Sequence, residues 1–114
     1  MENCLFCKII NGEIPSQKVY EDRHCYALRD INPQSPVHVL ILPKQHVSGL
    51  DTLSDLDDLQ LSCCLRAAQK IAEQEGIAKS GYRLVSNCGA DACQSVAHLH
   101  FHLLGGRKLS EMMG

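Results

Sequence analysis

Three histidines alternate with apolar residues close to the end of the chain. They are His98, His100 and His102, in a run that reads HLHFHLL over residues 98–104. Successive side chains of a β-strand point to opposite faces, so the three imidazoles are predicted to share one face. An imidazole with a pKa of about 6.5 is mostly neutral at pH 7 and can still carry a proton. The run therefore indicates a metal site or a nucleophile with supporting proton donors.

A metal bound by all three histidines of one strand is disfavoured by distance. Same-face neighbours on a strand lie roughly 6 to 7 Å apart, which places the outer pair about 13 Å apart at the backbone. Bonds of about 2.1 Å to one ion are hard to reach from there. An incidental polar surface is also disfavoured, because three of the six histidines of the chain fall within five residues. We favour a division of chemical roles along the row.

A pair of cysteines, Cys4 and Cys7, is separated by two residues near the N-terminus. Two thiolates at this spacing can hold one tetrahedral ion, and zinc prefers sulfur and imidazole ligands. A redox pair is the alternative, but it normally begins a helix in a βαβ setting, which this sequence lacks. The chain has seven cysteines without the spacing of a disulfide framework, which indicates free thiols in a reducing compartment.

The pattern of apolar residues predicts the elements that position these groups. A short helix, two short strands, a proline-containing loop, an apolar strand, one long helix and two further strands follow one another. Their expected bounds are 4–10, 18–21, 25–29, 31–36, 37–42, 54–76, 82–86 and 96–104. Ser54 is expected to cap the long helix, with Asp57 completing a capping box. This order predicts an α+β fold with a mainly antiparallel five-stranded sheet in a single domain, residues 1–114.

Composition argues against several classes of protein. Hydrophobic residues make up 45% of the chain and charged residues 21%, as in a soluble globular domain. A formal net charge of -2 provides no broad basic field, so nucleic-acid binding is not expected. No apolar run approaches the roughly 20 residues of a membrane span, and residues 1–4 lack a signal-peptide pattern. We expect a cytoplasmic protein without a membrane partner.

The motifs together resemble the histidine triad (HIT) family, most closely its Hint branch of nucleoside phosphoramidases and the zinc-containing bacterial-type subset. The matching signature is the run over 98–104, preceded by Gln-Ser-Val at 94–96 and followed by Gly-Gly-Arg at 105–107. Residues 30–38 and 81–83 match as well. The resemblance covers nearly the whole chain. It implies the HIT fold, a purine nucleotide substrate, and a homodimer that pairs exposed sheet edges.

The resemblance also implies roles for individual residues. His100 would attack the α-phosphorus, and His102 would contact the α-phosphate and help to protonate the leaving group, with His38 behind it in a proton relay. The nucleotide would be held by Asp30 on the ribose hydroxyls, by Ile31 on the purine, and by Asn87, Gln94 and Ser95 on the phosphate side. Leu53 is a second candidate for the purine contact, although it does not lie on a matched position. From the residues alone, Asp30 has the alternative role of capping its turn, and Asn87 that of a turn residue.

A structural zinc site and an activity follow from the same resemblance. Cys4, Cys7, His46 and His98 match the four ligands of a zinc ion without an open coordination position, and no organic cofactor is implied. The activity would be hydrolysis of purine nucleoside phosphoramidates or aminoacyl adenylates through a nucleotidyl-histidine. A dinucleoside polyphosphate hydrolase and a non-catalytic zinc-containing nucleotide-binding module are the alternatives. The segment Ala92-Cys93, Cys88 and the short tail depart from the family pattern, and Arg107 is interpreted as a surface charge.

Overall fold

The computed structural model describes residues 3–114, so the expected domain, residues 1–114, begins two residues before the described part. Within that part the helices are α1 (Leu5–Ile10) and α2 (Asp58–Gln74), and the strands are β1 (Lys18–Glu21), β2 (Cys25–Arg29), β3 (Val37–Pro43), β4 (Tyr82–Val85) and β5 (Phe101–Gly105). The sheet has the order β1-β2-β3-β5-β4, and each neighbouring pair is antiparallel. The predicted α+β fold with a five-stranded antiparallel sheet is confirmed.

Strand β3 lies at the centre of the sheet because its side chains are apolar on both faces. Val39 and Ile41 join the core beneath α2, whereas Leu40 and Leu42 join a second core beneath α1. A strand covered on both sides has a nearly continuous apolar sequence rather than an alternating one, as β3 does. The polar exception, His38, shares the α1 face with Leu40 and is buried there.

The two helices cover the two faces of the sheet unequally. Helix α2 buries a stripe of small and branched side chains, namely Cys64, Ala67, Ala68, Ile71 and Ala72. Helix α1 has six residues and buries only Phe6 and Ile9. A helix this short cannot cover a whole sheet face, since it rises about 1.5 Å per residue. The α1 face therefore retains a cavity, and that face carries the histidines.

The expected start of the long helix at Ser54 is wrong. Residues Leu50–Asp55 form a separate 3-10 helix, and α2 is capped by Asp57, whose carboxylate accepts from the Leu59 N–H at 2.8 Å. The side chain of Gln45 separates the two helices, because it donates to the Asp55 carbonyl and accepts from the Asp57 N–H. Among the described residues, no helix combines the length and apolar character that crossing a membrane requires.

The last strand is shorter than the sequence pattern predicts. It begins at Phe101 rather than at residue 96, so His98 and His100 precede it outside any strand. The backbone groups of this segment form hydrogen bonds with a loop and with side chains instead of with a neighbouring strand. The Leu99 N–H donates to the Val47 carbonyl at 2.8 Å, and the carbonyls of His98 and His100 accept from side chains. The alternation of faces nevertheless continues back to residue 98.

Candidate active site and metal centre

The three histidines of the run lie on the α1 face, opposite the apolar residues that separate them. Leu99, Phe101 and Leu103 are buried in the core beneath α2. On the other face, the ring of Phe6 packs edge-on against two of the histidines, with centroid distances of 5.9 Å to His98 and 5.0 Å to His100. The period of two predicted from the sequence thus holds, and α1 contacts the histidine row directly.

The middle histidine has one ring nitrogen engaged and one available. Nδ1 of His100 lies 2.7 Å from the carbonyl oxygen of His98. A carbonyl can only accept a hydrogen bond, so Nδ1 carries the proton and Nε2 keeps its lone pair. The carbonyl of His100 in turn accepts from Oγ of Ser86 at 2.8 Å, which holds the segment in place. The ring lines the cavity on the α1 face.

The last histidine of the run, His102, is protonated on the other ring nitrogen, Nε2, because its Nδ1 accepts a hydrogen bond from His38. The Gln34 N–H donates to Nδ1 of His38 at 3.0 Å, so the neutral His38 ring is protonated on Nε2. That nitrogen lies 2.9 Å from Nδ1 of His102 and donates to it. His102 then carries its own proton on Nε2. The rings of His100 and His102, 5.1 Å apart, therefore present a lone pair and a donor side by side.

One carboxylate oxygen of Asp30 caps the turn that follows it, and the other lies near the histidines. Oδ1 accepts from the Asn32 N–H at 2.7 Å, which is the turn-capping role considered from the sequence. Oδ2 lies 3.3 Å from Nε2 of His38. His38 is buried while Asp30 is partly exposed at the cavity. The carboxylate thus borders both the pair of His38 and His102 and the cavity beside it.

The cavity on the α1 face has a volume of about 440 Å³ and is mostly apolar, within the range of small-molecule sites. The structure brings together five of the predicted nucleotide-binding residues in its wall. They are Asp30, Ile31, Ser95, His100 and His102. The apolar wall comes from α1 and the sheet, through Leu5, Phe6, Ile9, Leu28 and Leu40.

Three other predicted residues lie outside the described cavity lining, namely Asn87, Gln94 and Leu53. The Gln94 amide donates to the carbonyls of Ser48 (2.6 Å) and Val96 (3.0 Å) and accepts from the Gly89 N–H (2.9 Å). Its side chain thus ties the loop after β4 to the rest of the molecule. Asn87 lies at the start of that loop. Leu53 packs against the core beneath α2, on the opposite face from the cavity.

The four predicted metal ligands converge although they are distant in sequence. The ligand atoms of Cys4, Cys7, His46 and His98 all lie within 4.8 Å of one another. Nδ1 of His98 is 3.2 Å from Nδ1 of His46, 3.4 Å from Sγ of Cys4 and 3.5 Å from Sγ of Cys7. A tetrahedral zinc ion with bonds of about 2.0 to 2.3 Å requires ligand separations of about 3.3 to 3.8 Å. The cluster fits zinc.

The protonation of the cluster also suits a metal ion. Nε2 of His98 donates to the Pro43 carbonyl at 2.8 Å, so Nδ1 is unprotonated and faces the thiols. Burial, together with the Cys4 thiol, raises the pKa of Cys7 to about 11. A cation would reverse this preference, because it stabilises a thiolate that the protein alone disfavours. His98 and its carbonyl partner thus orient one ligand in advance.

The free energy of unfolding is expected to fall as the pH is lowered from about 6.5 to about 4. Burial, and then the neighbouring rings of His100 and His38, lowers the pKa of His102 to about 4, whereas an unfolded histidine titrates near pH 6.5. Between these values the unfolded chain binds more protons, so the folded state loses on the order of 3 kcal/mol from this residue. Burial lowers the pKa of His38 in the same direction.

Denaturant unfolding of the wild type and of His102→Gln, at about pH 7 and about pH 4.5, measures this dependence. The variant should lose less stability on acidification than the wild type. Both proteins keep Cys4, Cys7, His46 and His98, so acid effects on that cluster are common to both, and the difference between the two proteins isolates His102. Equal losses in both proteins would contradict the expectation.

Sequence reasoning missed Phe6 and two groups behind His38. Phe6 lies between the two cysteines in sequence and packs against His98 and His100. The one sequence signal for this contact was its place in the same short helix as the predicted metal ligands. The Gln34 N–H is a backbone donor that no side-chain pattern reveals. Arg107, interpreted as a surface charge, donates to the Gln34 carbonyl at 2.9 Å.

Comparison with known proteins agrees with this geometry. A family model described as HIT domain matches residues 11–109. The purine nucleoside phosphoramidase of Escherichia coli (strain K12) is 46% identical over 112 residues, covering 98% of this chain and 94% of the relative. A 14 kDa zinc-binding protein of Zea mays is 49% identical over 109 residues, covering 93% of this chain and 84% of the relative.

A solved structure of a HIT family hydrolase from Legionella pneumophila Philadelphia 1 superposes with a TM-score of 0.92 at 48% identity, covering 96% of this chain and 97% of that chain. The resemblance inferred from the histidine run is therefore confirmed, as is the prediction of a hydrolase. With a family match over most of its length and relatives that share nearly half of its residues, the chain belongs to the HIT domain family.

Proposed function

We propose that the chain hydrolyses purine nucleoside phosphoramidates or aminoacyl adenylates to the nucleoside monophosphate, with His100 as the nucleophile. The hydrogen bond from Nδ1 of His100 to the His98 carbonyl carries this proposal, because it leaves the Nε2 lone pair free on a ring that lines the cavity. An imidazole with a free lone pair can bond covalently to phosphorus and divide one difficult displacement into two. A module that only binds nucleotides has no need of such a group.

The two displacements use the neighbouring histidines differently. In the first, Nε2 of His100 bonds to the α-phosphorus and the bond from phosphorus to the leaving atom breaks. That atom is the amine nitrogen of a phosphoramidate, which takes the proton from Nε2 of His102, or the carboxylate oxygen of an aminoacyl adenylate, which leaves without one. In the second, water attacks the phosphorus and the bond to His100 breaks. The proton that the water loses replaces the one given to the amine. His38, which donates to His102 at 2.9 Å, would relay it.

The cavity lining supports the assignment of the nucleotide contacts. Asp30 would accept from the ribose hydroxyls with its carboxylate, since this residue lines the cavity. Ile31, 93% exposed at the rim, would gain burial against a purine. Ser95 would donate to the phosphate from the segment that leads to His100. Asn87 and Gln94 would act from the loop after β4, with the Gln94 amide holding that loop in shape.

We also assign a structural zinc ion to Cys4, Cys7, His46 and His98. The four ligands would fill a tetrahedral shell and leave no open position, so the ion would supply rigidity and no part of the reaction. It would join α1 to the segment that carries the nucleophile. The thiol and imidazole distances and the orientation of His98 support this assignment.

The relative from Escherichia coli suggests a phosphorus–nitrogen bond as the one cleaved. Parallel assays on an adenosine phosphoramidate, an aminoacyl adenylate and a diadenosine polyphosphate test this. We expect turnover of the first two to exceed that of the third by at least about tenfold in kcat/KM. Faster cleavage of the diadenosine compound would instead favour the dinucleoside polyphosphate hydrolase.

A homodimer is proposed for the assembly. Strands β1 and β4 form the two edges of the described sheet, and Tyr82 on β4 is 42% exposed. Exposed edges favour pairing with a second chain, and a twofold axis would make the contact self-complementary. Sedimentation equilibrium should give twice the chain mass, and a monomer mass at all concentrations would refute the dimer.

A further inference from the structure

We propose that Arg107 is a positioning residue that acts through the backbone of Gln34 to hold His38 and His102 in their working tautomers. The role deepens the function proposed above and rests on it. Arg107 follows β5, is exposed, and lies outside the set of described residues that line the cavity. Its Nη2 donates to the Gln34 carbonyl at 2.9 Å, a contact between residues 73 positions apart.

Close packing holds the segment of Arg107 against the loop before β3. Gly106 has a φ of +93°, which favours glycine, and a Cβ at this position would lie 2.9 Å from Cβ of Pro36. The chain can approach the loop so closely only without a side chain here. Nη1 of Arg107 also donates to the Lys108 carbonyl at 3.1 Å, which directs the guanidinium. The segment after β5 is therefore built to contact this loop.

Gln34 connects this contact to the histidine pair through its own two backbone groups. Its carbonyl accepts from Arg107, and its N–H donates to Nδ1 of His38 at 3.0 Å. That N–H keeps Nδ1 unprotonated, so the proton of the neutral His38 ring lies on Nε2, 2.9 Å from Nδ1 of His102. The series of hydrogen bonds that begins at Arg107 therefore ends at the Nε2–H of His102, which would be donated to a substrate.

Loss of the hydrogen bond from Arg107 to the Gln34 carbonyl would weaken the preference for these tautomers. When the N–H of residue 34 turns away, His38 can carry its proton on Nδ1, and Nε2 then becomes an acceptor. His102 would respond by protonating Nδ1, which leaves Nε2 without a proton to donate. The effect should be partial for two reasons. Oγ of Ser35 donates to the Val37 carbonyl at 2.6 Å and braces the loop independently, and Oδ2 of Asp30, 3.3 Å from Nε2 of His38, continues to favour a proton on that nitrogen. The loss of one hydrogen bond corresponds to about a fivefold change in an equilibrium.

The experiment compares Arg107→Ala with Arg107→Lys and Arg83→Ala. Arg83 also donates to a backbone carbonyl near the C-terminus, that of Ser110 at 2.8 Å, so its loss removes the same charge and a similar bond away from the loop. Nitrogen NMR of ring-labelled histidine reports which nitrogen of His38 and His102 is protonated. In Arg107→Ala we expect both rings to shift toward mixed tautomers, and kcat on an adenosine phosphoramidate to fall about fivefold with KM little changed.

The two reference variants decide the meaning of that result. Arg107→Lys should recover most of the wild-type ring signals, and Arg83→Ala should retain them all. Unchanged tautomers in Arg107→Ala overturn the role of Arg107, and so does an equal shift in Arg83→Ala. Ring shifts in Arg107→Ala without hydrolysis by any of the proteins, wild type included, would support the positioning role and refute the proposed function.

Discussion

Replacement of His100 by alanine is expected to abolish turnover, with a fall in kcat of about 10⁴-fold or more. The physical reason is that Nε2 of His100 holds the lone pair that would bond to phosphorus, and the neighbouring His102 presents a donor instead. Nucleotide affinity should change little, because most of the cavity wall is apolar and remains in place. Steady-state kinetics and calorimetric binding of a nucleoside monophosphate measure the two effects separately.

His24→Ala is the matched control, since His24 lies in the turn between β1 and β2, outside the described cavity lining. It should retain wild-type turnover. A rapid-quench experiment with mass analysis of the peptide that contains residue 100 should find a nucleotidyl adduct in the wild type and none in His100→Ala. Hydrolysis by His100→Ala at the wild-type rate would exclude a covalent intermediate on His100, and no hydrolysis by the wild type would favour the non-catalytic module.

Removal of the proposed zinc ion is expected to lower both the free energy of unfolding and the affinity for nucleotide. Helix α1 has six residues, too few to persist alone, and its attachment depends on Cys4, Cys7 and two buried apolar residues. We expect the loss of stability to be on the order of 3 to 5 kcal/mol, a fraction of the binding free energy of structural zinc. Affinity should fall because Phe6 and Ile9 of the same helix form part of the cavity wall.

Cys4→Ser tests this expectation, with Cys93→Ser as its control. Cys93 is an exposed thiol outside the described cluster. Elemental analysis should find about one zinc ion per chain in the wild type and in Cys93→Ser, and little in Cys4→Ser. Thermal unfolding and nucleotide titration of all three proteins give the remaining values. Metal-free wild type with unchanged unfolding and unchanged nucleotide affinity would disprove the structural role.

The period-two pattern around the histidines was readable because it depends only on local geometry. A chain in extended conformation sends alternate side chains to opposite faces wherever it lies, and the apolar partners Leu99, Phe101 and Leu103 select the buried face. The same reasoning holds for β1 and β2, whose predicted bounds the structure reproduces. These features needed no knowledge of distant residues.

Element boundaries failed where a distant side chain intervened. Ser54 has the residue type of a cap, but Gln45 binds the backbone on both sides of residue 56 and divides the helix there. The last strand begins only at Phe101, because the backbone groups of the residues before it bind side chains and a loop carbonyl instead of a neighbouring strand. A local pattern cannot contain either contact.

By itself, the sequence determined the chemical types at the site: imidazoles on one face, a thiol pair and an apolar sheet to hold them. The tertiary structure alone decided what each group can do. The His98 carbonyl and the Gln34 N–H assign the protons of His100 and His38, and the approach of α1 to residue 98 assembles four metal ligands. Both depend on hydrogen-bond partners and on sheet register across long stretches of chain, which packing determines and local sequence does not.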